Sequence, residues 1–168
     1  MIDEVDKLIL NIIQCDAKIT NVEIARRVEL APSAVLERIR KLEERGFVRD
    51  YTANLDARKL GFGLTAFVFV RTEDRHGETA EILTGFPEVL EVHHVAGEDC
   101  YLVKVKTADA EALGQLLREK IGALKDVTST KTTVVLQTVK ETTVLPLDRD
   151  QKVAEQTTKL SRRKQPKA

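Results

Sequence analysis

Two cysteines in 168 residues, Cys15 and Cys100, provide no disulfide framework and no metal-ligand spacing, which points to a reducing interior. Histidine is as sparse. His93 and His94 are neighbours on a β-prone run, so their side chains point to opposite faces, and His76 lies in a loop; no metal site is expected from them. Cys100 follows Glu98 and Asp99, whose charges disfavour a thiolate, so a reactive thiol is not expected either. Net charge is also missing, with 27 basic residues against 27 acidic ones. That balance argues against indiscriminate coating of nucleic acid, while a local basic surface can still bind a specific site. No run approaches the ~20 apolar residues of a membrane span. The first residues lack a signal-peptide pattern, and the expectation is a cytoplasmic protein. Gly61-Phe62-Gly63 precedes a strand rather than a helix and is no dinucleotide fingerprint. Neither a cofactor nor a catalytic constellation is expected.

What the chain does contain is 42% hydrophobic and 32% charged residues, over a length that suits one ordinary domain or two small ones. Val5, Leu8, Ile9 and Ile12 recur at helical spacing and predict an amphipathic helix over residues 4–15, with Cys15 extending the stripe as a small buried hydrophobe. Thr20 to Glu23 is a capping-box pattern: the threonine hydroxyl accepts an orphan amide and the glutamate reaches back. Ile24, Ala25 and Val28 give the second helix its apolar face. Glu29-Leu30-Ala31 breaks it, and Pro32 suits the first position of a third helix, where no amide hydrogen is needed.

In that third helix Val35, Ile39 and Leu42 form one buried stripe. Ser33, Ala34, Glu37, Lys41 and Glu44 point away from it, with Arg38 and Arg40 on its flanks. In a helix-turn-helix the N-terminal end of the second helix meets base edges and later basic residues grip phosphates. Ser33, Ala34, Glu37 and Arg38 are therefore candidates for base edges, and Arg40 and Lys41 for phosphate. A solvated charged face carries the same pattern, because Glu37, Glu43 and Glu44 offset the cations. Gly46 ends the helix. Phe47 to Ala53 is β-prone and reads as a strand or wing, from which Arg49 either reaches a phosphate or meets solvent.

Asn54 to Gly63 has few core-type positions and reads as a linker. Strands follow at Leu64 to Val70, Val89 to Val95, Tyr101 to Val105 and Val127 to Val139, with helices at Glu78 to Leu83 and Ala110 to Ile121 and a turn at Gly97-Glu98-Asp99. The order is βαββαβ, a ferredoxin-like arrangement with two helices on one face of a four-stranded sheet, and the fold class is α+β. From Ala66 to Val70 both alternating sets are apolar, so the face away from the helices needs cover. A second subunit is the economical cover, and a two-fold dimer suits a pseudo-palindromic site on double-stranded DNA.

Val5-Asp6 with Ile9-Leu10, then Glu23-Ile24-Ala25, then Arg38 to Glu43 followed by Gly46-Phe47-Val48 and Tyr51, resemble the DNA-binding half of the Lrp/AsnC (feast/famine) family of transcription regulators. Pro87-Glu88-Val89, Gly97 with Tyr101-Leu102-Val103, and the Thr-rich last strand resemble its ligand-sensing half. The resemblance covers residues 3–145. It implies a winged helix-turn-helix over residues 1–53, a linker over 54–63, and a βαββαβ sensing and dimerisation domain over 64–146. It also implies dimers that assemble to tetramers or octamers, with amino-acid effectors between dimers. The turn lining the family's pocket corresponds to Gly97, Glu98, Asp99 and Cys100. Gln137 matches a polar ligand contact of asparagine-responsive members, or is an exposed strand glutamine. Two positions depart from the pattern. Ala31 stands where the family commonly has Ser, so a cap worth about 1 kcal/mol is missing. Cys100 stands at the family's acidic position, with Asp99 one residue earlier.

Three function classes follow. A ligand-responsive DNA-binding regulator fits both halves. A sirohaem-decarboxylase-like enzyme on the same fold would need a clustered basic and histidine pocket, which the scattered histidines do not offer. An RNA-binding βαββαβ module would need aromatics on its two central strands, whereas Phe67 and Phe69 occupy the first strand and Tyr101 stands alone. Residues 152–168 carry Lys152, Lys159, Arg162, Arg163, Lys164 and Lys167 against Glu155, and much of the segment 147–168 is expected to be disordered. It reads either as a solubilising extension or as a source of salt-sensitive phosphate contacts.

Overall fold

A computed structural model describes residues 2–74, 77–97 and 100–147. They fall into two compact units, one made of the residues up to 54 together with those from 142 onward, the other of residues 55–141. Among the described residues no helix is long and apolar enough to cross a membrane.

The first unit holds three helices: α1 (Glu4–Cys15), α2 (Asn21–Val28) and α3 (Pro32–Glu44). A reciprocal cap opens α1. The Asp6 amide donates to Asp3 Oδ1 at 2.7 Å and the Asp3 amide donates to Asp6 Oδ2 at 3.2 Å. The buried row of α1 is Asp6, Ile9, Leu10 and Ile13. The expected stripe of Val5, Leu8, Ile9 and Ile12 is displaced by about one position, leaving Leu8 and Cys15 exposed. Leu8, Ile9, Leu10, Ile12 and Ile13 are all apolar, so spacing alone leaves the face open; the pairing of Asp6 with Arg38 on α3 selects it. Val35, Ile39 and Leu42 of α3 are buried as the periodicity predicts, and they close a core with Ile9, Ile24 and Ala25.

Two ends of this unit differ from expectation. Gly46, at φ +73°, lets the chain turn back after α3, and the Phe47 amide donates to Leu42 O at 2.9 Å. No strand forms between Phe47 and Ala53. An extended segment needs a ladder partner to become a strand, and here side chains hold it instead. The Arg45 guanidinium lies 4.8 Å from the Phe47 ring centroid, and the Tyr51 hydroxyl donates to Glu43 Oε1 at 2.8 Å. At the other end the Gln14 amide clamps Leu145, accepting from its N–H at 2.9 Å and donating to its carbonyl at 3.0 Å, while Leu147 packs against the helical core. Residues 142–147 thus belong with the helices rather than with the sheet that precedes them.

The second unit runs β1 (Leu64–Thr72), α4 (Glu78–Thr84), β2 (Val89–His94), β3 (Tyr101–Thr107), α5 (Ala110–Gln115), a π-helical turn (Leu116–Ile121) and β4 (Val127–Val134). The sheet order is β2-β3-β1-β4, antiparallel throughout. Residues 55–63, expected as a linker, cluster with this unit, where the Phe62 amide donates to Ala57 O at 2.8 Å. Ala66, Val68, Val70, Val103 and Val105 are fully buried on one sheet face against Leu83, Leu113, Leu116 and Ile121 from the helices. Burying each of these valine, leucine and isoleucine side chains is worth roughly 1.5–3 kcal/mol, so this face holds the unit together.

The last helix is not α-helical to its end. The Gly122 amide donates to Leu117 O, five residues back, at 2.8 Å, and a Cβ at position 122 would lie 2.7 Å from that same oxygen. Only glycine closes so wide a turn there. The last strand ends at Val134 rather than Val139, after which the Val135 amide makes one more bond to Thr65 O. Strand order also corrects the argument about aromatics. β1 and β3 are the central pair, so Phe67 and Phe69 do lie on a central strand. Their neighbours on β3 are Lys104 and Leu102, and Tyr101 is buried in the core.

Candidate functional site

Helix α3 is placed by its buried stripe, and the opposite side of the helix is where the sequence puts its polar candidates. Ser33, Glu37, Arg40 and Lys41 are exposed there together, with Ala34 partly so. Its N-terminus lacks a side-chain cap: Ala31 is extended, at φ −70° and ψ 144°, and Pro32 supplies the helical φ. The turn from α2 into α3 passes through Glu29 at φ 55°, a left-handed conformation that costs a non-glycine residue about 1–2 kcal/mol. The Thr20 hydroxyl caps α2 as expected, accepting from the Glu23 amide at 3.2 Å. Glu23 does not reach back; its carboxylate binds Arg26 and Arg27 instead, and those bonds hold its pKa down to about 2.

The cations of α3 are already engaged. Glu37 Oε1 lies 3.1 Å from Arg40 and 3.4 Å from Lys41, and Arg40 also meets Glu44 at 3.3 Å. The Arg40 hydrogen bond, then its charge, keep the Glu37 carboxyl below its ordinary range, so Glu37 is ionised at neutral pH. Arg38 is placed differently from the rest. Its guanidinium turns toward α1 and donates at 2.7 Å to both Asp3 Oδ2 and Asp6 Oδ1. Asp6 is only 8% exposed, and Arg38 is thereby tied to the cap of α1 rather than projected outward with Arg40 and Lys41. Arg49 is exposed on the extended segment after α3. A groove of ≈ 340 Å³ runs between α1 and α3, lined by Asp6, Ala34, Glu37, Arg38, Lys41 and Arg45.

Asp3, Asp6 and Arg45 are not among the site residues the sequence suggests, although Asp6 belongs to a stretch that carries the resemblance. Asp3 and Asp6 stand three apart at the start of a predicted helix, which is a capping signal in its own right. Nothing in the sequence announces that Arg38 would close onto them.

In the second unit the hairpin between β2 and β3 carries Gly97 and Cys100; Glu98 and Asp99 lie outside the described residues, as do His76 and the segment from 148 onward. Cys100 is not at the tip. Its amide donates to Val70 O at 3.1 Å and its thiol to Thr72 O at 3.3 Å, so the side chain is committed to β1. Gln137 lies exposed beyond the end of β4 rather than within it. Val70 pairs with Thr130, while Val135 bonds to Thr65 at the other end of β1. At about 3.3 Å per residue the sheet length separates Gln137 from Cys100, and one chain does not bring the two together. His93 pairs with Glu91 at 3.2 Å and His94 packs on Tyr101 at 5.3 Å between centroids.

The sheet face away from the helices carries Phe67 and Phe69 beside Leu102, both phenylalanines partly exposed. Lys104 crosses this face at 14% side-chain exposure, bonded to Glu91 Oε1 at 3.1 Å and to Glu141 from the segment after β4. The Glu141 hydrogen bond raises the Lys104 pKa, outweighing desolvation.

The chain matches two family models: one described as winged helix-turn-helix DNA-binding, over residues 2–49, and one described as Lrp/AsnC ligand binding domain, over residues 65–145. It is 40% identical over 147 residues to the HTH-type transcriptional regulator FL11 of Pyrococcus horikoshii, covering 87% of this chain and 97% of that one. It is 37% identical over 144 residues to the leucine-responsive regulatory protein of Escherichia coli strain K12, covering 83% and 88%. Among solved structures, a transcriptional regulator of Neisseria meningitidis in complex with L-Met superimposes with a TM-score of 0.83 at 32% identity, covering 88% and 98%.

Proposed function

Since the chain belongs to the Lrp/AsnC family of transcriptional regulators, we propose that it binds a pseudo-palindromic operator as a homodimer or higher oligomer in the cytoplasm and that a small amino acid tunes that binding. It is a regulator and not an enzyme of the sirohaem-decarboxylase kind. The observation that carries the DNA reading is the exposed row Ser33, Glu37, Arg40 and Lys41 on a helix whose other side is locked into the core. Ser33, Ala34 and Glu37 face base edges in this reading, and Arg40, Lys41 and Arg49 take phosphates. Arg38 is assigned a positioning role, because both its carboxylate partners lie on α1 and its cap.

The face of Phe67, Phe69 and Leu102 seats the second subunit, which gives the apolar side of β1 the cover it lacks in one chain. The effector site lies at the β2–β3 hairpin, with Gly97, Glu98 and Asp99 offering backbone groups to the α-amino and α-carboxylate ends, while Cys100, bonded to β1 through its amide and thiol, anchors the turn. Gln137 joins that site only from another subunit of the oligomer. Two relatives, the leucine-responsive regulatory protein and the regulator in complex with L-Met, support an amino acid as the class of effector. Its mechanism is a coupling free energy: the effector favours one assembly or domain arrangement, and DNA affinity follows.

The test is selection of a duplex from a random pool, then titration of that duplex by gel shift. Replacing Arg40 and Lys41 with alanine is expected to weaken binding at least tenfold and to lower the salt slope by about 2, one phosphate contact for each residue. The titration is then repeated with each of the twenty amino acids. An unchanged salt slope would remove the phosphate assignment, and twenty superimposable curves would remove the effector.

A further inference from the structure

Helix α3 keeps one large apolar side chain out of the core. Val35, Ile39 and Leu42 are buried, while Leu36, directly after Val35, is 56% exposed. Val28, Leu30 and Val48 pack at the edge of the helical core, and among the described residues Leu36 takes no part in it. At about 100° per residue Leu36 points well away from the buried stripe, on the side of the helix shared with Ser33 one turn before and Arg40 one turn after. Both of those are exposed as well.

The charged neighbours of Leu36 are drawn elsewhere. Arg40 meets Glu37 at 3.1 Å and Glu44 at 3.3 Å, and both acids lie round the helix on the side of Arg40 away from Leu36. Glu43, on the other side of Leu36, accepts from the Tyr51 hydroxyl at 2.8 Å. A single exposed leucine is ordinary on a protein surface. This one stands between Ser33, assigned above to a base edge, and Arg40, assigned to a phosphate. An isobutyl group pressed on a phosphate, or on a hydrogen-bonding edge of a base, strips water from polar atoms and returns no bond. The major groove offers one apolar feature, the C5-methyl group of thymine.

We propose that Leu36 is a specificity-determining residue whose side chain seats on the C5-methyl of one thymine in each half-site. The inference rests on the DNA reading above and deepens it by naming a base. Ala34 is the other apolar side chain near the base edges, but it is partly buried and lies about 160° round the helix from Leu36. One methyl taken out of water is worth about fourfold in affinity. The contact displaces no counterion, so its worth is insensitive to salt, unlike that of Arg40 and Lys41.

The test uses the full chain and the duplex it selects from a random pool, titrated by fluorescence anisotropy over a series of salt concentrations. Each thymine is replaced in turn by uracil, which keeps every hydrogen-bonding group and removes only the methyl. The wild type is expected to lose about fourfold at one thymine in each half-site. Leu36→Ala is expected to bind the unmodified duplex more weakly, with thermal midpoint and salt slope unchanged, and to bind the uracil duplex no more weakly than the unmodified one. Leu36→Met keeps an apolar side chain of similar length and is expected to retain the uracil penalty. A scan in which no uracil weakens the wild type overturns the assignment. So does a penalty that survives Leu36→Ala, or a salt slope that changes in that variant, since the phosphate contacts have then moved. In each of these cases the duplex is still selected and bound, and the operator reading stands. A pool from which no duplex is enriched removes both.

Discussion

Arg38 and Glu37 are adjacent on α3 and face different tasks. Arg38 closes a bridge to Asp3 and Asp6, and removing it leaves the nearly buried Asp6 carboxylate without its cation. Arg38→Ala should cost the DNA-binding unit about 1–3 kcal/mol, read as a lowered thermal midpoint. Its effect on DNA should be equal for the selected operator and a scrambled duplex, whereas a base-reading residue would relax preference at one base pair. The acid side is informative too. The Asp6 backbone amide, then Arg38, hold Asp3 below its ordinary value of 3.8. A depressed carboxyl contributes stability above its unfolded value and loses it as pH falls through the folded one, so Arg38→Ala should flatten the acid limb of the stability profile. Glu37 acts in the opposite sense on binding. It holds Arg40 and Lys41 and brings a negative charge near the phosphates, so Glu37→Gln should tighten binding to a scrambled duplex roughly three- to tenfold at low salt, an advantage that salt erodes, and should relax preference at the base pair it faces in the selected operator.

At the scale of elements, α3 begins without a cap. Ala31 already has the extended backbone a capping residue needs. Ala31→Ser should therefore stabilise the unit by about 1 kcal/mol, measurable as a higher denaturant midpoint with unchanged slope. The elements themselves were largely legible from periodicity. Val35, Ile39 and Leu42 repeat with a helical period and nothing competes with them, and the alternation around Val68 and Val103 does the same for the sheet. What was not legible depends on partners distant in sequence. The face of α1 turned on Asp6 meeting Arg38, and the stretch from Phe47 to Ala53 has strand composition but no strand to pair with. The π-turn at Leu116 follows from one Gly122 bond that no composition signals. Of the DNA candidates, the exposed row on α3 was readable, while the inward turn of Arg38 was not. Of the effector candidates, Gln137 was misplaced because the Thr-rich run past Val134 looks like more strand.

For the whole molecule, the return of the chain to the helices is the organising contact. Gln14 accepts from Leu145 N–H and donates to its carbonyl, as a neighbouring strand would. Gln14→Ala should accelerate hydrogen exchange at the Leu145 amide by about the tenfold that one lost hydrogen bond implies, while amides in β1 and β3 keep their protection.

That return has a topological consequence. The helical unit is discontinuous in sequence, and residues 55–141 are an insertion whose entry and exit both belong to the same body. Cutting the chain once at the entry does not liberate the inserted unit, because the exit still carries it. Changes inside residues 55–141 reach the helices by two covalent routes rather than one, at Asn54 and at Thr142. The second of these is stitched directly to the helix whose cap holds Arg38.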